Sequence, residues 1–115
     1  MIIQELNLNL IPTGDPIVLH VSQGDKGSWR FYFHPMLNGE RYVWNNATFK
    51  LHGTKPNGET FDKSCGFLGV QRVHCDLDAD MTDVAGDVYC NLVMTEGGDR
   101  TGTQAFILRV QKEAK

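Results

Sequence analysis

The sequence predicts an all-β domain, a single antiparallel β-sandwich of about eight short strands. Three observations lead to this prediction. Apolar and polar residues alternate with a period of two along most of the chain. Turn-forming residues separate the alternating segments. No segment carries an apolar stripe with the helical period, and only residues 78–84 suit one short helical turn.

Each alternating segment has one apolar face, which we expect to point into the core. In chain order, the inward-facing residues are Leu6, Leu8 and Leu10; Ile17, Leu19 and Val21; Trp29, Phe31 and Phe33; Phe49, Leu51 and Phe61; Val73, Cys75 and Leu77; Val88, Cys90, Leu92 and Met94; and Phe106, Leu108 and Val110. The turns between these segments lie at residues 12–15, 24–27, 38–39, 55–58 and 96–99.

The turn at residues 55–58 has the most specific chemistry. Pro56 suits the second position of a type I turn because its ring fixes φ at about −65°. Asn57 tolerates the third position, and Gly58 accepts the positive φ that follows. These residues predict a β-hairpin closed by a glycine bulge, whose role is to reverse the chain.

Length and composition indicate one globular domain over residues 1–115, with a short polar tail at 111–115. Hydrophobic residues make up 41% of the chain and charged residues 22%, which excludes a disordered protein. The net charge of −3 argues against nucleic acid as a partner. We find no signal peptide and no apolar run of membrane-spanning length, so we expect a soluble protein made in a cytoplasm, with no membrane partner.

Three cysteines are present, Cys65, Cys75 and Cys90, and none forms a C-x-x-C pair. The odd count and the spacing disfavour both a disulfide framework and a zinc site. Cys75 and Cys90 share the inward parity of their segments, so we expect buried, unreactive thiols there.

Acidic residues alternate at Asp76, Asp78 and Asp80, and Asp87 follows. Oxygen ligands at alternate positions are typical of a calcium loop. Here, however, Met81 occupies the position of the required glycine, and an aspartate replaces the bidentate glutamate that closes such a loop. We therefore expect no metal and interpret these aspartates as a polar strand end that continues into a solvated crossover.

Four histidines, His20, His34, His52 and His74, fall on the outward parity of their segments. No pair has metal-ligand spacing, so we expect four solvated side chains and no cofactor. No histidine lies in a motif with a serine or cysteine nucleophile. The sequence thus contains no catalytic constellation and predicts a protein that is not an enzyme.

Residues 85–90 partly match the Asp-x-Gly-x-Tyr-x-Cys run at the end of immunoglobulin domains. Val88 occupies the place of the corner tyrosine, and Tyr89 follows one residue late with outward parity. We therefore predict immunoglobulin-like topology but not a receptor-type immunoglobulin domain.

Four segments together resemble one family, the N-terminal domain of the phage baseplate upper protein. They are "VSQGDKG" (21–27), "FKLHGTKPNGETF" (49–61), "AGDVYCNLVM" (85–94) and "GTQAFILRV" (102–110), and the family-like core spans residues 17–110. The family-motif turn residues are Gly24, Asp25, Gly53, Lys55, Pro56, Asn57, Gly58 and Gly86.

The resemblance implies an immunoglobulin-like β-sandwich that anchors a structural protein to the tail baseplate. It also implies a location in the virion after synthesis in the bacterial host cytoplasm. Family members carry receptor-binding proteins on a C-terminal extension, whereas this sequence stops at Lys115. We therefore expect either a small virion protein, such as a capsid decoration or head-fibre protein, or a fragment of a longer chain.

The leading functional hypothesis is a non-catalytic assembly module that self-associates or docks to the tail hub, the baseplate or the capsid. The candidate interface residues are Tyr32, Tyr42, Trp44, Tyr89, Val93 and Ile107, with Val18 on the same outward parity. The alternative is a carbohydrate-binding module. For that alternative, Tyr42 and Trp44 are the candidate exposed aromatics because they lie beside the turn at residues 45–46, whereas Trp29 has inward parity.

Overall fold

The computed structural model describes residues 1–68 and 72–113. In this part of the chain, ten strands and one short helix occur: β1 (Ile2–Asn9), β2 (Ile17–Ser22), β3 (Trp29–Leu37), β4 (Glu40–Arg41), β5 (Ala47–Thr54), β6 (Thr60–Leu68), β7 (Arg72–Asp76), α1 (Ala79–Thr82), β8 (Gly86–Glu96), β9 (Asp99–Gly102) and β10 (Phe106–Gln111). No helix among these residues is long and apolar enough to cross a membrane.

The strands form one hydrogen-bonded path in the order β1-β3-β7-β6-β5-β8-β10-β2, and the short strands β4 and β9 pair with β3 and β8. β6 belongs to both halves of this path. Its first half pairs with β5 from Thr60 to Cys65, and its second half pairs with β7 from Gly66 onward. The all-β prediction is confirmed. The described residues form ten strands instead of about eight, and they belong to one mixed sheet, so the sandwich stays a prediction.

The two pairs at the ends of the path are parallel, so the expectation of a purely antiparallel arrangement is wrong. β1 pairs with β3 and β10 pairs with β2 in parallel, whereas every other described pair is antiparallel. The reason is the route of the chain. β2 crosses to the opposite edge of the sheet, so β3 returns beside β1 in the same direction. Alternating polarity is the same in parallel and antiparallel strands. The sequence therefore contained no signal for the parallel pairing of β1 with β3 and of β2 with β10.

The sheet curls around a single core, because aromatic rings from distant strands of the path meet inside it. Phe33 of β3 and Phe106 of β10 are fully buried, and their ring centroids lie 5.5 Å apart. Four strands separate β3 from β10 along the path, so only a curled sheet can bring these rings into contact. Phe31 extends the same aromatic layer, 6.0 Å from Phe33.

The inward parity predicted from the sequence is confirmed for nearly every strand. The buried core contains the predicted faces of β1, β3, β5, β7, β8 and β10. Leu19 and Trp29 are only partly buried, and Ile17, at the start of the edge strand β2, is 36% exposed. The helical turn expected within residues 78–84 is present as α1, and the Asp78 side chain caps it by accepting a hydrogen bond from the Met81 N–H.

The predicted hairpin joins β5 to β6. The Gly58 N–H donates to the Lys55 carbonyl over 2.9 Å, which closes the four-residue turn. Gly58 has φ of +90°, as the sequence predicted for the residue after the bend. The Asn57 carboxamide oxygen accepts a hydrogen bond from the Glu59 N–H over 3.0 Å and so fixes the exit of the turn.

Gly58→Val is expected to lower the free energy of unfolding by about 1–3 kcal/mol, because a β-branched residue is strained at positive φ. No heavy atom lies within 4 Å of a Cβ placed at this position, so backbone strain is the only expected cost. Urea unfolding of the variant measures it. Gly58→Asn is the matched control, since asparagine tolerates positive φ; equal losses for the two variants would contradict this explanation.

Candidate functional site

The turns that carry the family-like motifs meet at one end of the domain, around α1. We call this group the motif cluster; it consists of the turn at residues 22–25, the turn at residues 55–58, α1 with its flanking aspartates, and Gly86. The sequence analysis treated these turns as separate bends. In the structure they contact one another, and their contacts explain why their residue types occur together.

Lys55 is the centre of the motif cluster, although a lysine is usually exposed. The residue is only 4% exposed, and its ammonium group lies 2.8 Å from Asp80 and 3.1 Å from Asp83. The hydrogen bond to Asp80 is the main cause that raises the pKa of Lys55 above its usual value, against the opposing effect of burial. The turn therefore does more than reverse the chain: it fastens the β5–β6 hairpin to α1.

Pro56 and Gly86 form a second contact between the hairpin and the segment after α1. A Cβ at position 86 would lie 2.7 Å from Cγ of Pro56, closer than packed atoms can approach. Gly86 also has φ of +121°, which side chains rarely adopt. Only glycine therefore lets the proline ring pack against the start of β8.

Gly53 has a similar role within the hairpin. It pairs with Phe61 across β5 and β6, and the Phe61 ring covers it so closely that a Cβ would lie 2.2 Å from the ring. The ring is 6% exposed and belongs to the core. The glycine thus makes room for an aromatic side chain that closes the core beside the turn.

The turn at residues 22–25 is attached to the other side of α1. The Gly24 N–H donates to the Thr82 carbonyl over 3.1 Å, and the Thr82 hydroxyl donates to the Asp25 carbonyl over 2.7 Å. The Asp25 carboxylate accepts the Ser22 N–H over 3.1 Å and holds the turn itself. The polar groups of the motif cluster are therefore largely used in contacts within the domain.

The acidic residues near α1 have exposed side chains, as expected for a solvated crossover, but they are paired with cations, which the sequence did not predict. Asp76 forms a bidentate pair with Arg30, at 2.7 and 3.2 Å, and this hydrogen bonding lowers the pKa of Asp76. Asp78 lies 2.9 Å from the ammonium of Lys63. Within the described residues, no group of three or more His, Cys, Asp or Glu side chains is arranged to hold a metal ion.

The histidines differ in their environments, and one of them contradicts the expectation of solvated side chains. His34 is 3% exposed and its Nε2 lies 3.2 Å from a carboxylate oxygen of Glu5. It is covered because β3 lies between β1 and β7. His52 lies 2.9 Å from Asp62 at the surface, and the His74 ring lies over Gly66.

Three candidate interface residues lie on the outward face of β8 and β10, namely Tyr89, Val93 and Ile107. Strand register places Ile107 of β10 between Val18 of β2 and Tyr89 of β8, so these side chains form one apolar row across three strands. Tyr89 is 55% exposed, whereas Ile107 is 9% exposed. We call this row, with the neighbouring Arg109–Asp87 ion pair of 2.9 Å, the outer face.

Val93 lies on the same side of β8, four residues beyond Tyr89, and is also 9% exposed. The side chains around it are polar, and with it they line a shallow depression: Lys50, His52, Asp62, Thr95 and Arg100. Val93 and Ile107 therefore point outward as predicted but are largely covered by their neighbours. Of the three predicted residues on this side, Tyr89 offers the most accessible surface.

Tyr32 lies on a different part of the sheet. It is on β3, where strand register places it between Glu5 of β1 and His74 of β7. The guanidinium of Arg72 lies 3.8 Å from the centre of its ring, which is a cation–π contact. The structure does not bring Tyr32 together with Tyr89.

Trp44 is buried, so the prediction of an exposed aromatic pair at positions 42 and 44 is wrong. Trp44 is 3% exposed and packs edge-on against Phe49 and Phe67, at centroid distances of 4.7 and 5.8 Å. Proximity to a turn suggested exposure, but the rings of β5 and β6 cover it. Tyr42 is half-buried, and its hydroxyl donates to Glu96 over 2.5 Å, which raises the pKa of Tyr42 and lowers that of Glu96.

Some exposed apolar residues were missed by the sequence analysis. Ile3 and Val43 are each 56% exposed and Phe67 is 46% exposed. Phe67 lies near the end of β6, where its ring packs edge-on against Trp44 and Phe49, and the sequence analysis assigned it to neither face. Exposure of Ile3 follows from its place on the edge strand β1, which only the topology reveals.

The fold is similar to one in a solved structure, the N-terminal domain of ORF48 of phage TP901-1. The TM-score is 0.73, the two chains share 12% identical residues, and the similarity covers 97% of this chain and 100% of that domain. At this identity the similarity concerns the fold. No protein-family model matches the chain, and no curated protein matches its sequence.

Proposed function

We propose that the protein is a non-catalytic structural module of a bacteriophage particle, which docks onto other particle proteins at the baseplate or tail. The observation that supports this most directly is the similarity to a phage protein domain along the whole length of both chains. The order of the four sequence motifs, which resembles the phage baseplate upper protein, is a second and independent support.

The outer face is the proposed docking surface. In the motif cluster, the Lys55 ammonium and the Gly24 N–H bind groups of the domain itself and are not available to a partner. The outer face, in contrast, has the exposed ring of Tyr89 beside the largely covered side chain of Ile107. The Arg109–Asp87 ion pair lies next to these two side chains. An apolar centre with a polar border is typical of protein interfaces.

The location in the particle is tested by mass spectrometry of purified virions and by immunogold electron microscopy with antibodies against this chain. We expect gold label at the tail baseplate. Label on the head would instead favour the alternative of a capsid decoration or head-fibre protein. Complete absence of the chain from purified particles would overturn the proposal.

Replacing Tyr89 by aspartate is expected to weaken binding of particle proteins, or self-association, at least about tenfold, because it places a charge in the middle of an apolar contact. Binding is measured by pull-down from disrupted particles and by light scattering at high protein concentration. The thermal midpoint is expected to change by less than about 4 °C, because the side chain is half in solvent.

Val43→Asp is the matched control, since Val43 is 56% exposed and Tyr89 is 55% exposed. It introduces the same charge in the segment between β4 and β5 and is expected to leave binding within about twofold of wild type. Equal losses for both variants would indicate a general effect of charge and would contradict docking through the outer face. A monomer that captures no particle protein but binds a glycan array would support the carbohydrate-binding alternative.

A further inference from the structure

Two of the three cysteines lie side by side within the curled sheet. Gly66 of β6 pairs with His74 of β7, so the next step of this antiparallel ladder places Cys65 opposite Cys75. Cys75 is 3% exposed and belongs to the core, and the half-buried Cys65 packs against the same core. Both side chains therefore point to the same side of the sheet.

The spacing of such a pair is close to that of a disulfide. Directly opposite residues in an antiparallel ladder have Cβ atoms about 4.5–5.5 Å apart. A disulfide requires roughly 3.5–4.5 Å. The ladder between β6 and β7 begins at Gly66, and Cys65 is the last residue of β6 paired with β5. On their other sides, Cys65 pairs with Phe49 of β5 and Cys75 pairs with Phe31 of β3. The bond therefore requires the two Cβ atoms to approach each other by about 1 Å.

Each thiol donates a hydrogen bond to a backbone carbonyl, Cys65 to Lys63 over 3.6 Å and Cys75 to Asp76 over 3.8 Å. The mutual influence of the two neighbouring thiols raises the pKa of Cys65 and lowers that of Cys75. The positive charge of Lys63 favours the thiolate form of both residues. The Cys90 thiol donates to the Val88 carbonyl over 3.7 Å, and burial raises its pKa to about 12.

We propose that Cys65 and Cys75 are a modification site at which a small-molecule disulfide, such as oxidised glutathione, forms a cross-strand disulfide between β6 and β7. Cys65, the more accessible of the two, first loses its proton to water, and its thiolate attacks the small disulfide. One glutathione leaves as thiolate, and the other stays bound to Cys65.

The sulfur of Cys75 then attacks the Cys65 sulfur of this mixed disulfide. The second glutathione leaves and takes the proton from Cys75. The two cysteines together lose two electrons, the small disulfide gains them, and two reduced glutathione molecules are released. This order of events follows the exposure of the two sulfurs, because the nearly buried Cys75 cannot meet a large reagent first.

The bond would join the two strands at the place where β6 changes its partner from β5 to β7. It closes a loop of eleven residues, from 65 to 75, which restricts the unfolded chain. We expect the oxidised protein to melt about 10 °C above the reduced protein. This inference concerns the domain itself and does not depend on the proposed function.

The test is to incubate the purified protein with an excess of oxidised glutathione, block the remaining thiols with N-ethylmaleimide and map the peptides without reduction. Trypsin cuts after Lys63 and Arg72, and cyanogen bromide cuts after Met81. We expect peptide 64–72 linked to peptide 73–81, an intact mass lower by two hydrogen atoms before alkylation, and a Cys90 that N-ethylmaleimide alkylates once the protein is unfolded. This readout uses the wild-type chain and does not require a stable variant.

Three variants assign the roles. Cys90→Ala is expected to form the same disulfide, and Cys75→Ser is expected to stop at a glutathione adduct on Cys65. Cys65→Ser is expected to form neither product. The proposal is overturned if the wild-type chain stays fully reduced, if Cys65 or Cys75 is linked to Cys90 or to a second chain, or if the oxidised protein melts no higher than the reduced one.

Discussion

Lys55→Glu is expected to lower the free energy of unfolding by about 3–5 kcal/mol, which shifts the thermal midpoint by roughly 12–25 °C. Residue 55 is 4% exposed, and the nearest charged groups are the carboxylates of Asp80 and Asp83. A glutamate here would be a buried carboxylate next to two others. The hairpin must then leave α1, and Pro56 must leave Gly86, to relieve the repulsion.

Lys55→Met separates charge from packing. Methionine keeps an unbranched apolar stem in the same place, and the aspartates stay hydrated because their side chains are 64% and 54% exposed. We expect a smaller loss of about 1–2 kcal/mol. Changing both aspartates to asparagine in the glutamate variant should restore part of its stability. If Lys55→Glu and Lys55→Met unfold at the same urea concentration, electrostatics is not the cause.

The difference between wild type and Lys55→Met also has a defined pH dependence. The folded pKa of Lys55 is raised above its usual value of 10.5, so the charged form binds better in the folded state. The contribution of the Lys55 charge to the free energy of unfolding is therefore fully present below pH 10.5 and declines as the pH rises through the raised pKa. Between about pH 6 and 9 we expect the difference to stay constant.

The sequence predicted local features of this protein well. Alternating polarity identified the buried faces of most strands, and the Pro-Asn-Gly series identified the β5–β6 hairpin and the positive φ of Gly58. These features depend on residues that are neighbours along the chain. Their physical causes, side-chain alternation in strands and the steric freedom of glycine, act within a few residues.

Features that depend on distant residues were not predicted. Lys55 finds its partners 25 and 28 residues further along the chain, and a lysine in a turn is usually exposed. The one available signal was the excess of aspartates at positions 76–83, which lacked the glycine of a calcium loop and therefore needed cations from elsewhere. Burial of Trp44 likewise depends on Phe49 and Phe67, which belong to two other strands.

Strand pairing was the part of the fold that the sequence predicted least well. The segments of β1 and β2 have the same alternating pattern as the antiparallel strands, yet both are parallel edge strands. Packing in the core determines which strands pair. It brings β3 and β10 together, so β1 and β2 lie at the two ends of the path. The curl of the sheet thus depends on a few aromatic side chains, and their removal should be costly.

Phe33→Ala is expected to lower the free energy of unfolding by about 3–5 kcal/mol, a large part of the stability of a domain this size. Phe33 is fully buried, stacks on Phe31 at 6.0 Å and meets Phe106 at 5.5 Å. Truncation leaves a cavity between two strands that touch only because the sheet curls, so neighbouring backbone cannot easily close it. Urea unfolding measures the loss.

Tyr89→Ala, which truncates a ring that is 55% exposed, is the matched control and should cost only about 1 kcal/mol. A double-mutant cycle with Phe106→Leu tests whether the two rings act across the core. Because they are in contact, the two losses should not add, and the coupling should be about 0.5–1.5 kcal/mol. Additive losses, or a Phe33→Ala variant that melts within about 4 °C of wild type, would mean that other contacts hold the sheet in its curled form.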